Sequence, residues 1–134
     1  MVHRIELADG TARYTNRFVR TPMVQAEEKA GHVIWAGVTD LYTPTEDEVG
    51  PDLAGTSREL PDINIVRHGG RLLAMAETTL PFRLEPADLS TLGRDNCDGA
   101  MGVGSTAHPK IDPVTGQMVL FNYMLESPYL TCRW

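Results

Sequence analysis

Four histidines, two cysteines and a scatter of carboxylates are the residues here with chemistry beyond packing. Neutral imidazole is the commonest metal ligand, yet an isolated histidine is usually a hydrogen-bonded or surface residue. His3 sits in an alternating run, His32 follows Gly31 at a helix end, and His68 stands beside Gly69-Gly70 at a hairpin tip. All three read as ordinary surface or packed histidines. His108 has a different setting: a Gly-rich stretch precedes it and Pro109 follows it. The proline biases His108 toward an extended backbone, which gives its ring a defined direction. Glu77 closes the apolar run Arg71-Leu72-Leu73-Ala74-Met75-Ala76. A carboxylate there is either exposed at a strand end or paired, because a lone buried charge is costly. The paired reading makes it an acid that holds a histidine ring in one tautomer. Cys97 and Cys132 form no C-x-x-C pair and no zinc spacing. They read as two reduced thiols, with a disulfide left open. Glu46, Asp47 and Glu48 lack the calcium-loop pattern and read as a solvated face.

The elements that must position these residues are mostly short strands. Residues 2–8 and 11–19 alternate apolar and polar on either side of Asp9-Gly10, a hairpin signature. Residues 23–30 read as a short helix ended by Gly31. Residues 43–61 mix Pro, Gly and acid with few large apolar groups, and read as a long loop or insertion. Hairpin grammar returns with a strand at 63–67, a turn at His68-Gly69-Gly70 and a returning strand at 71–78. Phe82 and Leu84 extend the apolar pattern, and 86–92 suggests a turn with a short crossing segment. Residues 93–104 read as a loop, 112–116 as a tight turn, and 118–125 and 129–134 as strands. The pattern predicts an all-β fold in one domain. The first and last runs start and stop at the chain ends, so the chain reads as a piece of a larger β-protein.

Composition narrows the classes. Of 134 residues, 42% are hydrophobic, enough for a packed core rather than disorder. A net charge of −6 without a basic run argues against nucleic acid as a partner. No apolar stretch is long enough for a membrane-spanning helix. The opening Met1-Val2-His3-Arg4-Ile5-Glu6 has no apolar secretory region, so a cytoplasmic protein is expected.

Three stretches carry a family likeness. They are residues 63–74, Glu77 with Leu80-Pro81-Phe82, Leu84-Glu85-Pro86 and 89–93, and the run from Thr106-Ala107-His108-Pro109-Lys110 to Gly116. Together they resemble the carotenoid cleavage oxygenase family, which includes bacterial stilbene-cleaving members. The resemblance covers nearly the whole chain. It implies a seven-bladed β-propeller, of which this chain holds the early blades only. It implies a central Fe(II) held by four histidines, with glutamates outside them, that uses O2 to cleave an alkene. Imidazole suits Fe(II), and a propeller axis brings distant strands together. Residue by residue, His108 resembles the first iron ligand, and Glu77 a glutamate that bonds a histidine from another blade. The other three ligands are expected outside this chain, so the remaining blades are needed and the chain alone is expected to be inactive. Stilbene-cleaving members carry a lysine just before the Glu77 position, where this chain has Ala76. Tyr42 is a weak match to their phenol-binding tyrosine. An apolar carotenoid or apocarotenoid is therefore the expected substrate, with a stilbene as the alternative. A non-catalytic propeller fragment that binds or scaffolds, and a small complete β-domain, are competing readings. On the propeller reading, the isolated chain is expected to expose apolar strand faces and aggregate. Cooperative thermal unfolding of a soluble monomer, followed by circular dichroism, would contradict that expectation.

Overall fold

Two-residue turns built on positive φ start the architecture. In the computed structural model, which describes every residue except Val38, Leu41, Val103 and Trp134, β1 (Val2–Ala8) and β2 (Thr11–Arg17) pair antiparallel across Asp9-Gly10. Both turn residues have positive φ, 50° and 72°, as the right-handed strand twist requires of a tight hairpin. Gly69-Gly70, at φ 54° and 74°, closes β3 (Asn64–His68) onto β4 (Arg71–Met75) in the same way. With β5 (Phe82–Leu84) and β6 (Thr91–Arg94), these strands form a four-stranded antiparallel meander in the order β3-β4-β5-β6. A second sheet, β7-β8-β9, holds Lys110–Ile111, Met118–Tyr123 and Leu130–Arg133.

The core is organised around β4. Side chains alternate across a strand, so Leu73 and Met75 point one way and Ala74 the other. Leu73 and Met75 pack with Met101, Ala107, Met118 and Leu120. Ala74 packs with Val2, Val19, Phe82, Leu84 and Leu89. One strand thus divides two apolar clusters, and a strand buried on both faces reads as the continuous apolar run seen in the sequence. Strand β8 keeps the alternating pattern: Met118, Leu120 and Asn122 are buried, while Val119, Phe121 and Tyr123 face outward. Its entry turn is closed by Asp112, whose Oδ1 accepts the N–H groups of Val114 and Thr115. Those bonds hold the Asp112 carboxyl below the usual carboxylate range. The β1–β2 hairpin is tied down by Arg4, whose Nη1 donates to the carbonyls of Pro86 and Ala87 at 2.7 Å each.

The chain divides into two compact units, residues 1–19 with 61–134, and residues 20–60. The smaller unit is built on α1 (Pro22–Ala30). Thr21 caps it through Val24 N–H, Pro22 opens it, and Gly31 at φ 77° closes it. Beside α1, Trp35 is 1% exposed and donates its indole N–H to the Thr56 carbonyl. Glu27 accepts from Ile34 N, Trp35 N and the Arg58 guanidinium. Burial pushes the Glu27 carboxyl up, but Arg58 and the two backbone donors overcome this and hold it below its ordinary value.

Several sequence boundaries shift. The segment at 43–61 is not wholly loop: it contains a one-turn helix, α2 (Glu46–Val49), whose Glu48 Oε2 accepts from Thr45 N and Oγ1. The fold is mostly sheet, as expected, and among the described residues α2 adds a second short helix to the one expected at 23–30. The strand expected to Thr78 ends at Met75, because Thr78 turns into the left-handed region at φ 62°. The loop expected from residue 93 starts two residues later, since Gly93 and Arg94 belong to β6. The two-residue β7 had no periodicity to reveal it. Cys97 and Cys132 are free thiols. No helix among the described residues is long and apolar enough to cross a membrane.

Glu27 sets a pH test. A carboxyl lowered in the folded state stabilises above the unfolded value and loses that contribution as pH falls through the folded one. Urea midpoints should fall as pH drops below about 4.3. Glu27→Gln should lower the midpoint at neutral pH and leave a shallower acid slope.

Candidate functional site

Glu77 and His108 stand together, brought there by a backbone crossing. Residues 104–106 run against 78–79: Thr78 N donates to Ser105 O at 2.9 Å, and Ser105 N to Thr79 O at 3.1 Å. Gly104 permits this approach, since a Cβ there would lie 2.2 Å from the Thr78 carbonyl oxygen. No larger residue fits without moving backbone. Thr106 then joins β8 by donating its N–H to the Phe121 carbonyl at 2.6 Å. The crossing places the Glu77 carboxylate under the backbone that carries His108.

Glu77 Oε1 accepts the Ala107 N–H at 2.9 Å and the Thr106 hydroxyl at 3.3 Å. It lies 3.7 Å from His108 Nε2. That distance exceeds a hydrogen bond but places a carboxylate beside the ring. The Glu77 side chain is 26% exposed and the His108 side chain 62%. An imidazole so open is reachable by an ion or by a group from elsewhere in the protein. On the outward face of β8, Tyr123 also feels this cluster. Its phenol is raised above its ordinary range, first by desolvation and then by the charge and hydrogen-bonding of the Glu77 carboxylate.

The other histidines lie elsewhere. His3 Nδ1 meets the Tyr14 hydroxyl at 2.5 Å in the β1–β2 hairpin. His32 Nδ1 faces the Ala30 carbonyl past the end of α1. His68 closes β3 opposite Arg71. Among the described residues, no three His, Cys, Asp or Glu side chains group closely enough to hold a metal ion. Tyr42 donates to the Glu48 carboxylate within the smaller unit. Its phenol is raised, chiefly by that bond.

The donor set fits one edge of an Fe(II) site. Imidazole is a suitable donor for iron, and a carboxylate beside it is the usual means of fixing a ring. One exposed imidazole is a single donor, so a metal held here would need further donors beyond those the described residues bring together. Glu77 keeps capacity for such a group: an ionised carboxylate has about four lone-pair positions, of which the Ala107 N–H and Thr106 hydroxyl use two on Oε1 and the Tyr123 hydroxyl competes for one more.

Sequence reasoning passed over three residues that build this corner. Asn64 Nδ2 donates to the Ala107 carbonyl at 2.9 Å. Thr106 Oγ1 accepts the His108 N–H at 3.0 Å. Gly104 makes the crossing possible. Thr106 lies in the Thr-Ala-His-Pro-Lys run, and its place two residues before His108 is the signal that the sequence offers.

Relatives share this frame. The profile of the retinal pigment epithelial membrane protein family matches residues 1–134. The chain therefore belongs to that family, the carotenoid cleavage oxygenases. It is 34% identical over 146 residues to carotenoid 9,10(9',10')-cleavage dioxygenase 1 of Phaseolus vulgaris, covering 99% of this chain and 27% of that protein. The lignostilbene dioxygenase of Pseudomonas brassicacearum superposes with a TM-score of 0.72 at 29% identity, over 89% of this chain and 24% of that one. A cobalt-substituted apocarotenoid oxygenase from Synechocystis gives a TM-score of 0.71 at 32% identity, over 91% of this chain and 27% of that one. The chain thus spans about a quarter of the length of these proteins.

Gly104→Ala tests the crossing. Its Cβ would force backbone apart, so a loss of about 1–3 kcal/mol is expected. A urea midpoint equal to that of the unmodified protein would show that the two segments part without cost.

Proposed function

We propose that this chain is part of a non-haem iron(II) dioxygenase that cleaves a conjugated C=C bond of a carotenoid or apocarotenoid with O2. The observation that carries this reading is the placement of the open His108 ring 3.7 Å from the Glu77 carboxylate. The Phaseolus relative, named for carotenoid cleavage, and the cobalt-substituted Synechocystis structure support it. His108 is the iron ligand that this chain supplies, and three further histidines come from the rest of the protein. Iron(II), when bound, supplies the redox chemistry that activates O2. The overall change adds both oxygen atoms across the alkene and yields two carbonyl products. Glu77 holds residues 106–107 by Oε1 and has capacity to accept an imidazole N–H from another strand, which fixes that ring's tautomer. The four-stranded meander is one blade of a seven-bladed propeller, and the β7–β9 sheet belongs to the next.

A stilbene substrate is the second reading, favoured by the likeness to the lignostilbene dioxygenase. Against it, position 76 holds a buried alanine, so no ammonium stands there to meet a phenolic oxygen.

The test uses the full-length protein. It should bind one iron and bleach an apocarotenoid only when O2 is present, with a slower loss of stilbene absorbance. His108→Ala should lose iron and turnover together. Glu77→Gln should lower iron affinity by about 10–100-fold. A protein that binds no iron, or one unaffected by His108→Ala, would overturn the proposal. Faster loss of the stilbene would shift the substrate to the second reading.

A further inference from the structure

We propose that Asn64 and Thr106 are positioning residues for His108, acting with Glu77 as a clamp on the backbone of residues 106–108. The inference rests on the reading of His108 as an iron ligand. It starts from an apparent mismatch. Within this chain, which spans about a quarter of its relatives' length, the His108 side chain is 62% exposed, so what this chain contributes to its placement is the backbone beneath the ring. A ligand has to be held near its working geometry before the ion arrives, or binding must bear the cost of ordering it. The order that this chain supplies comes from the backbone beneath the ring.

That backbone is held on successive groups. The Ala107 N–H goes to Glu77 Oε1 at 2.9 Å. The Ala107 carbonyl accepts from Asn64 Nδ2 at 2.9 Å. The His108 N–H goes to Thr106 Oγ1 at 3.0 Å. The two sides of one peptide segment are therefore bonded to side chains from β3 and from the turn after β4. The Thr106 hydroxyl is used twice: its proton goes to Glu77 and its lone pair takes the His108 N–H. It is fully buried, and a β-branched side chain is stiff about χ1, so the hydroxyl is a fixed point. Asn64 opens β3 in register with Met75, two residues before Glu77, so the same hairpin supplies two of the three grips. Pro109 removes one backbone rotation on the far side of the ring.

The experiment compares Thr106→Val, Thr106→Ser and Asn64→Asp in the full-length protein. Valine keeps the shape and removes the hydroxyl; serine keeps the hydroxyl and removes a methyl; aspartate keeps the shape and removes the donor. Two quantities are read: Co(II) affinity with its visible absorption spectrum, and hydrogen exchange at the amides of Ala107 and His108. Thr106→Val and Asn64→Asp should each weaken Co(II) binding by about tenfold, the usual effect of removing a support behind a ligand. Thr106→Val and Asn64→Asp should each also speed exchange at the His108 amide, whose N–H bonds Thr106 and whose peptide plane includes the Ala107 carbonyl that Asn64 holds. Thr106→Ser should restore both readouts to within about twofold of the unmodified protein. Equal affinity and exchange in Thr106→Val, or no rescue by serine, would overturn the clamp. Failure of the unmodified protein to bind Co(II) would remove the iron reading. The exchange rates would still decide whether the three bonds fix the segment.

Discussion

The close passage of residues 104–106 over Thr78 and Thr79 is the constraint on which the rest depends. It needs a residue without a Cβ at 104 and a left-handed turn at Thr78. A β-branched residue in that region is costly, so the surrounding bonds have to hold it there. Those bonds are the Thr78–Ser105 and Ser105–Thr79 pairs. Without the crossing, the turn after β4 and the approach to β7 would be separate loops. With it, a carboxylate from one and an imidazole from the other share a corner.

The apolar core supports this corner from one side only. Leu73 and Met75 share a cluster with Ala107, so the segment bearing His108 rests on the inward face of β4. Ala74 faces the other cluster with Val2 and Val19. A single strand thus ties the first hairpin and the functional segment to one core without mixing them. The ring then extends outward from a buried base. On the proposed reading, this leaves the ring free to meet groups from the rest of the protein while its base is held.

Much of this was legible in the residues, and the illegible part has a physical cause. The hairpins at Asp9-Gly10 and Gly69-Gly70 were readable because positive φ at both turn positions demands those residue types. The helix at 22–30 was readable from Gly31, which has to adopt a left-handed conformation. His108 and Glu77 stood out by setting, and family resemblance joined them. The roles of Asn64 and Gly104 were not readable. Asn64 bonds a residue 43 positions away. Gly104 sits in a glycine-rich stretch where nothing local separates it from Gly99 or Gly102. Long-range contacts of this kind leave no periodicity. The short helix at 46–49 was hidden for the opposite reason: its local caps are sound, but four residues are too few to show an apolar face.

The turn from Asp112 to Gly116 carries a constraint on chain length. Strand β8 pairs with β7 through Ile111–Met118 and Lys110–Val119, and its inward residues are every second one. Inserting or deleting a single residue with the turn geometry kept would shift the β7–β8 register by one and exchange the faces of β8. Phe121 and Tyr123 would be driven inward, while Met118, Leu120 and Asn122 would turn to the outside. A two-residue change preserves the alternation. Natural length variation at this turn should therefore come in even steps, or arrive together with a bulge that restores the phase.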